Sequence, residues 1–189
     1  MISDIDDTVK ITELPAGSRV VIQNTFFKEF EAAPGMAERY AEWEDAVFHY
    51  VTGAPWQLYK PLTSFLFSEE AGYPKGSLHM KNLRKNFFNP NSWRDLRELI
   101  TNENMTYDQK FGQIRGLFET FPERRFILVG DSGEMDPEIY SAVRELYPEQ
   151  VEKIIIRDVV NARNLDPDRL IDMKVIPANT VYPGVSQFQ

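Results

Sequence analysis

The sequence predicts one α/β domain built around a doubly wound, mainly parallel β-sheet. Short β-branched runs alternate along the chain with longer helical patterns, and this alternation is typical of α/β folds. The 189 residues suit a single hydrophobic core with room for a modest insertion. Hydrophobic residues make up 42% of the chain and aromatic residues 13%, which is enough apolar material to exclude an intrinsically disordered protein.

Five stretches of the chain have the composition expected of β-strands. Residues 126–129 (FILV) and 151–156 (VEKIII) contain continuous apolar runs, which indicate strands buried on both faces of a parallel sheet. Shorter or weaker strand patterns occur at residues 1–4, 46–51 and 77–80. We expect these segments to form the sheet.

Two helices are expected between these strands. Ahead of residues 126–129, four apolar residues recur at spacings of three and four and mark one helix face: Phe111, Ile114, Phe118 and Phe121. Pro122 is expected to end that helix. Asp136 followed by Pro137 is typical of an N-cap and a first helical residue, and it predicts a helix that continues to Leu146.

The weakest pattern lies within residues 81–108, where we expect a small insertion or lid on the substrate side. Residues 86–104 are rich in asparagine and contain Pro90, which favours a loop. The segment between Thr8 and Thr52 has room for only a flap and helices. We therefore expect no large cap domain and an open site.

Composition excludes several classes of site and partner. Without cysteine, the chain can form neither a disulfide nor a zinc–thiolate site. With two histidines, a metal ion would be bound mainly by oxygen ligands. The net charge of −8 disfavours nucleic acid as a partner. The sequence shows neither a signal peptide nor a membrane-spanning run, which favours a cytoplasmic location.

The densest chemical signal is the acidic run Asp4-Ile5-Asp6-Asp7-Thr8 at the end of the first predicted strand. In an extended chain, residues i and i+2 project from the same face, so Asp4 and Asp6 should lie side by side. Two carboxylates about 4 Å apart repel by roughly 4 kcal/mol at an effective dielectric constant of about 20. The pair would therefore require a cation or a shared proton. The alternative is a solvated acidic turn.

A second acidic cluster, GDSGEMD at residues 130–136, directly follows the FILV strand. It places Asp131 at the carboxyl end of that strand, the edge where open α/β sheets bind ligands. Further oxygen ligands could come from Asp4, the backbone carbonyl of Asp6, and Glu134 or Asp136 through a bound water. Such a set would suit Mg²⁺ and phosphate chemistry. The alternative is a turn whose carboxylates only cap the next helix.

Four motifs in sequence order resemble the haloacid dehalogenase superfamily. DIDDT at residues 4–8 matches its DxDxT signature, and FILVGDSGEMDPEIY at 126–140 resembles its fourth motif. Thr52 stands where the second motif has Ser or Thr. Lys110 precedes Asp131 by 21 residues, a spacing similar to that of the third motif. Over nearly the whole chain, the sequence further resembles the catalytic domain of actin-patch-protein phosphatidate phosphatases, Mg²⁺-dependent lipid phosphatases with bacterial relatives.

This resemblance implies a HAD-like Rossmannoid fold and a Mg²⁺-dependent phosphatidate phosphatase. Asp4 would be the nucleophile that forms an aspartyl-phosphate, and Asp6 would protonate the leaving alkoxide and then activate water. Contacts to the phosphoryl group would come from Thr8, Thr52, the Gly53 amide and Lys110. Mg²⁺ would bind Asp4, the Asp6 carbonyl, Asp131 and Asp136. In that family the nucleophile follows a full strand, whereas three residues precede Asp4, so we expect the sequence to lack an amino-terminal portion.

A basic island interrupts the acidic chain between Lys75 and Arg97. Six basic residues and one acidic residue give this stretch a local charge of +5. Lys81, Arg84 and Lys85 lie near aromatic residues suited to a membrane interface: Phe87, Phe88 and Trp93. We expect this island to make transient contact with a lipid surface or to steer another anionic substrate, and the alternative is a merely exposed surface.

Other functions remain open on the sequence alone. The same chemistry could act on a soluble phosphomonoester, for which Lys81, Arg84 and Lys85 would not be needed. A catalytically silent interaction domain could keep the fold as a scaffold. A signalling receiver module is disfavoured, because its phosphoacceptor Asp would stand at the end of a middle strand that here ends at Thr52.

Overall fold

A computed structural model describes residues 1–13, 16, 29–81 and 103–178, excluding the side chains of residues 103–105. The described strands are β1 (Ile2–Asp4), β2 (Phe48–Pro55), β3 (Gly76–Lys81), β4 (Phe126–Asp131), β5 (Val151–Asp158) and β6 (Lys174–Pro177). The described α-helices are α1 (Met36–Ala41), α2 (Tyr59–Leu66), α3 (Glu103–Thr120), α4 (Asp136–Leu146) and α5 (Ala162–Leu165). Single 3₁₀ turns occupy Trp56–Leu58 and Pro167–Leu170.

The described strands form one parallel sheet in the order β3-β2-β1-β4-β5-β6. This arrangement confirms the predicted α/β fold. The chain winds outward from β1 through β2 to β3, then returns to place β4 beside β1 and winds the other way. In open parallel sheets, ligands bind outside the carboxyl ends of the strands at such a reversal of strand order. The fold therefore favours a site between the ends of β1 and β4.

Apolar side chains cover both faces of the sheet. One buried cluster joins Tyr40 of α1 and Leu62 of α2 to Phe48 of β2. A second joins Phe118 of α3 and Ile139 of α4 to the opposite face. Full burial of a large apolar side chain contributes roughly 1.5–3 kcal/mol, so these two layers fix the positions of the strand ends.

Two strands differ most from the sequence-based predictions. β2 was expected at residues 46–51 with its end at Thr52, but it begins at Phe48 and continues to Pro55, because after an irregularity beyond Val51 the chain pairs with β3 again. β6 was not predicted. Its four residues end in Pro177, and a short strand with proline at the sheet edge gives a weak sequence signal.

Two helical predictions also need correction. Phe121 lies beyond the end of α3 and is 39% exposed, whereas Leu117 is 6% exposed and takes its place on the buried face. Asp136 is the first residue of α4, and Met135 is the N-cap. The predicted capping role of Asp136 is therefore wrong, because its carboxylate is used in contacts with Asp131 and Lys110.

The predicted insertion lies largely outside the described residues. Residues 82–102 are not described, and residues 103–108 begin α3, so a helix closes this segment. Among the helices that the structure describes, none is both long enough and apolar enough to cross a bilayer.

Candidate active site

Asp4 is the last residue of β1, between β2 and β4, and its side chain is almost fully buried. Oδ1 of Asp4 lies 2.6 Å from Nζ of Lys110, which reaches the strand end from α3. Within the described part of the chain, no group donates a hydrogen bond to Oδ2 of Asp4. One oxygen of this buried carboxylate is therefore available to a ligand.

The turn between β4 and α4 supplies three further carboxylates. Oδ1 of Asp131 accepts hydrogen bonds from the backbone N–H groups of Gly133 at 2.6 Å and Glu134 at 3.1 Å. Oδ2 of Asp131 is buried and receives no hydrogen bond from the described residues. The backbone N–H of Asp131 donates to Oδ2 of Asp136 at 3.2 Å. These bonds fold the turn so that its carboxylates converge on the end of β1.

Lys110 lies among three of these carboxylates. Its Nζ is 2.6 Å from Oδ1 of Asp4, 2.5 Å from Oε2 of Glu134 and 3.0 Å from Oδ1 of Asp136. Burial opposes the charge on this ammonium group, but the carboxylates outweigh burial and raise the pKa of Lys110 well above its usual value. Lys110 is therefore a permanent positive charge at the site.

Carboxyl groups outnumber ammonium groups in this cluster. Four carboxylates have oxygen atoms within 4.8 Å of one another: those of Asp4, Asp131, Glu134 and Asp136. Burial and repulsion by the neighbouring carboxylates raise the pKa of Asp4 well above its usual value, although Lys110 lowers it. The same causes raise the pKa of Asp131, and that of Glu134 to about 7.

This cluster fits a hard divalent cation. All of its donors are oxygen atoms, which are the ligands that Mg²⁺ and Ca²⁺ prefer. Asp4 and Asp131 each keep one buried oxygen without a hydrogen-bond donor from the described residues. Uncompensated buried charge is unfavourable, and a cation would remove both the unmet hydrogen-bonding capacity and the excess negative charge.

Asp6 belongs to a different set of contacts. Its Oδ1 accepts a hydrogen bond from the hydroxyl of Thr12 at 2.7 Å and lies 3.1 Å from Nζ of Lys10. Its Oδ2 accepts a hydrogen bond from the hydroxyl of Thr52 at 2.9 Å. Burial would raise the pKa of Asp6, but Lys10 and the hydroxyl donors lower it overall. The two aspartates predicted as a pair thus have different surroundings, because Asp4 lies among other carboxylates besides Lys110, whereas Asp6 accepts hydrogen bonds from hydroxyl groups.

The other predicted phosphoryl contacts lie near the same edge of the sheet. The hydroxyl of Thr52 donates to Asp6 and accepts a hydrogen bond from the backbone N–H of Ala54 at 2.9 Å. Gly53 follows within β2 and is half-buried. Thr8 is fully buried, and its hydroxyl has no hydrogen-bond partner in the described part of the chain.

The loop after β1 is fixed by contacts that the sequence did not predict. Asp7 adopts a left-handed backbone conformation with φ of 53°. Its Oδ1 accepts hydrogen bonds from the backbone N–H groups of Thr12 and Glu13, both at 2.8 Å. The guanidinium of Arg157 donates to the carbonyl of Asp7 at 2.6 Å. Arg157 lies near the carboxyl end of β5, as Asp131 lies at the carboxyl end of β4. The strand-end position that identified Asp131 could therefore have identified Arg157 as well.

Lys81 ends β3 at the same edge, where it pairs in register with Pro55. The residue is 7% exposed, and its Nζ has no hydrogen-bond partner among the described residues. Burial lowers the pKa of Lys81. The sequence led us to expect the ammonium group of Lys81 on an open surface. In the structure this group is buried instead. The other two residues of that predicted surface, Arg84 and Lys85, lie outside the described residues.

The chain is similar to known proteins over most of its length. A sequence model of the family described as "Phosphatidate phosphatase APP1, catalytic domain" matches residues 1–158. The phosphatidate phosphatase APP1 of Saccharomyces cerevisiae is 30% identical over 167 residues, which are 86% of this chain and 26% of that protein. A protein of Schizosaccharomyces pombe described as uncharacterized is 30% identical over 169 residues, 85% of this chain and 25% of that protein. The chain thus spans about a quarter of the length of these curated relatives. No solved structure gives a significant match.

Proposed function

The chain belongs to the family of the phosphatidate phosphatase APP1 catalytic domain, and we propose that it hydrolyses phosphatidate to diacylglycerol and phosphate in the presence of Mg²⁺. The strongest support is the meeting of Asp4, Lys110 and Asp131 at the reversal of strand order. Such a site can combine a nucleophile with the positive charge that a phosphoryl group requires. The order of the four motifs supports membership of the haloacid dehalogenase superfamily.

We assign the metal ion to the acidic cluster. The proposed ligands are the carboxylates of Asp4 and Asp131 and the backbone carbonyl of Asp6, with Glu134 and Asp136 either binding directly or holding a water. When bound, Mg²⁺ would offset the repulsion among the carboxylates and polarise phosphoryl oxygens. Lys110, on α3, also offsets this repulsion through its contacts with Asp4, Glu134 and Asp136.

Asp4 is the proposed nucleophile. One of its carboxylate oxygens attacks phosphorus, so an O–P bond forms as the P–O bond to the leaving diacylglycerol breaks, and the product is an aspartyl-phosphate. Water then attacks phosphorus, which releases phosphate and restores the carboxylate. Lys110 lies 2.6 Å from Oδ1 of Asp4, and this contact would orient the carboxylate for the attack.

Asp6 is the proposed general acid and base. It would give a proton to the leaving alkoxide and then take a proton from the attacking water. The hydroxyl of Thr52 donates a hydrogen bond to Asp6 in this structure. If this hydroxyl turned to a phosphoryl oxygen, Asp6 would lose one of the bonds that favour its ionised form. Thr52 would thereby connect phosphoryl binding with the readiness of Asp6 to hold a proton.

Four groups are proposed to hold the phosphoryl oxygens: Thr8, Thr52, the Gly53 amide and Lys110. The buried hydroxyl of Thr8 supports this proposal, because the described residues offer it no hydrogen-bond partner. We further propose that Lys81 contacts an anionic group of the substrate, since its buried ammonium group likewise has no partner in the described part of the chain. Arg84 and Lys85 would extend this contact.

The proposal is tested by phosphate release from phosphatidate and from soluble phosphomonoesters, each with Mg²⁺ and with EDTA. We expect Mg²⁺-dependent release from phosphatidate. We expect it to fall about 10³-fold or more in Asp4→Asn, because removal of a nucleophile removes the covalent route. Asp45→Asn is the matched control, because Asp45 is exposed in the turn before β2.

Two results would contradict the proposal in different ways. Faster turnover of soluble monoesters than of phosphatidate would show that the lipid assignment is wrong and that the chain is a soluble-substrate phosphatase. Absence of phosphate release from every monoester would show that the enzyme assignment is wrong, and it would favour a scaffold function.

A further inference from the structure

Trp56 and Tyr59 form a stacked aromatic pair on the protein surface. They are 54% and 39% exposed, and their ring centroids are 4.7 Å apart at an interplanar angle of 24°. The pair is carried by the 3₁₀ turn Trp56–Leu58 and the first turn of α2. Leu58 and Leu62 of the same segment are buried in the core. Because packing of these leucines fixes the segment, the two rings are held towards solvent.

This aromatic pair lies at the edge of the sheet that carries the candidate active site. Trp56 directly follows β2 and is four residues beyond Thr52, whose hydroxyl donates to Asp6. A chain spans at most about 3.3–3.6 Å per residue, so the Cα atoms of Thr52 and Trp56 are no more than about 14 Å apart. One hydrocarbon leaflet of a bilayer is roughly 15 Å thick. The distance between these two Cα atoms is therefore no greater than about the length of one lipid, so a lipid that contacts the rings could also contact the site.

The segment around the pair lacks acidic residues. Residues 46–68 contain neither Asp nor Glu, although the whole chain has 29 of them among 189 residues. Lys60 adjoins Tyr59 and is exposed. An anionic lipid headgroup would therefore meet a positive charge here and no acidic side chain of this segment. Trp and Tyr are the residues that favour the boundary between headgroups and acyl chains.

We propose that Trp56, Tyr59 and Lys60 form a docking surface for a bilayer that contains phosphatidate. The two rings enter the headgroup region, and Lys60 contacts anionic headgroups. The carboxyl edge of the sheet then faces the membrane. The choice of lipid rests on the proposed function, whereas membrane binding itself requires no turnover.

The first experiment measures binding of the whole chain to vesicles by sedimentation. The vesicles are made of phosphatidylcholine alone or of phosphatidylcholine with phosphatidate. Replacing both rings, Trp56→Ser with Tyr59→Ser, is expected to weaken binding to both kinds of vesicle by about tenfold or more, because the rings contact every lipid. Lys60→Glu is expected to remove only the extra binding that phosphatidate gives.

Matched variants control for general changes in surface polarity and charge. Val47→Ser removes an exposed apolar side chain just ahead of β2, at the opposite edge of the sheet. Lys153→Glu reverses an exposed charge near the start of β5. Both are expected to bind vesicles as the unaltered chain does. The proposal is wrong if the ring variant binds normally, as it would if the rings receive a protein partner, or if Val47→Ser weakens binding equally.

A second measurement separates this proposal from the proposed function. The ratio of turnover on phosphatidate vesicles to turnover on p-nitrophenyl phosphate is expected to fall about tenfold in the ring variant, because docking affects only the membrane-held substrate. An unchanged ratio would contradict docking. If the chain hydrolyses neither substrate, the proposed function fails, while the sedimentation result still decides whether the surface docks on membranes.

Discussion

Gly130 stands at the point where the backbone of β4 comes closest to the carboxylate of Asp136. A Cβ atom at this position would overlap the carboxylate oxygen and two carbons of Asp136. The carboxylate cannot withdraw without loss, because it accepts a hydrogen bond from Asp131 and pairs with Lys110. Glycine is therefore required at position 130, because the side chain of Asp136 packs directly against the backbone of β4.

Gly130→Ala is expected to lower the free energy of unfolding by about 1–3 kcal/mol, the usual cost of overpacking. It should also reduce the proposed phosphatase activity, since Asp136 and Lys110 must shift. Gly112→Ala is the matched control, because a Cβ at Gly112 in α3 meets no atom within 4 Å. That change should raise stability by roughly 0.5–1 kcal/mol. Chemical denaturation measures both variants, and equal effects would contradict the packing argument.

The sequence identifies site residues well where a carboxylate follows a strand. Asp4 and Asp131 each end a strand, and parallel strands bring such ends to one edge of the sheet, so their placement at that edge could be predicted. Lys10 and Thr12 could not be predicted as partners of Asp6. Their contacts depend on the loop after β1 folding back on itself, and no periodic pattern encodes that path.

At the scale of elements, the pairing of β2 with β3 places two histidines beside each other. Nδ1 of His49 lies 2.7 Å from Oγ of Ser77, which lies 2.8 Å from Nε2 of His79. Burial, the nearby amino group of Met1 and the ring of His79 lower the pKa of His49 to about 4. Burial also lowers the pKa of His79. Both imidazoles are thus held neutral by the fold.

The lowered pKa of His49 predicts that this residue contributes less to stability in mild acid. The usual pKa of His49 is 6.5, while in the folded protein it is about 4, so between these values the unfolded chain binds the proton more readily. The contribution of neutral His49 to stability should be complete above pH 6.5 and should be lost as the pH drops towards 4, whereas the raised pKa of Glu134 acts in the opposite direction. His49→Gln can still hydrogen-bond to Ser77. Its change in unfolding temperature from pH 7 to pH 5 should be less unfavourable than that of the unaltered chain.

The control for this pH experiment is Lys75→Gln, which removes an exposed charge immediately before β3 without touching the histidines. It should show the same pH dependence as the unaltered chain. Parallel acid curves for His49→Gln and the unaltered chain would show that the half-buried imidazole of His49 does not contribute to the pH dependence of stability.

Elements with long apolar patterns were predicted most reliably. β4 and β5 carry continuous apolar runs because both of their faces are covered. The buried face of α3 was assigned one residue wrongly, because Phe121 has the right spacing but follows the helix end. The sequence pattern cannot show whether the last apolar residue still belongs to the helix.

At the scale of the whole molecule, the strand order could not be predicted from the sequence. Buried parallel strands have similar apolar patterns, so nothing local says that β4 pairs with β1 rather than β3. That pairing brings together Asp4, Lys110 and Asp131, which are widely separated in the chain. The predicted residues therefore form a cluster only through a long-range property of the fold.

This cluster predicts that Mg²⁺ stabilises the whole fold. The folded chain holds four carboxylates around one ammonium group, whereas the unfolded chain does not. An ion that binds only the folded state adds about 2.7 kcal/mol at a concentration 100 times its dissociation constant. Thermal unfolding in EDTA and in Mg²⁺ should therefore differ, with the higher unfolding temperature in Mg²⁺.

Asp131→Asn should raise the unfolding temperature in EDTA and reduce the gain that Mg²⁺ gives. Without metal it removes one of the mutually repelling charges and keeps the Oδ1 acceptor of the turn, so it should unfold at a higher temperature than the unaltered chain. With Mg²⁺ it should gain less, because a ligand is lost. Asp168→Asn, at an exposed position, should follow the unaltered chain in both conditions. If Asp131→Asn instead loses stability in EDTA and keeps the full gain from Mg²⁺, the ion binds elsewhere and the carboxylates do not oppose folding.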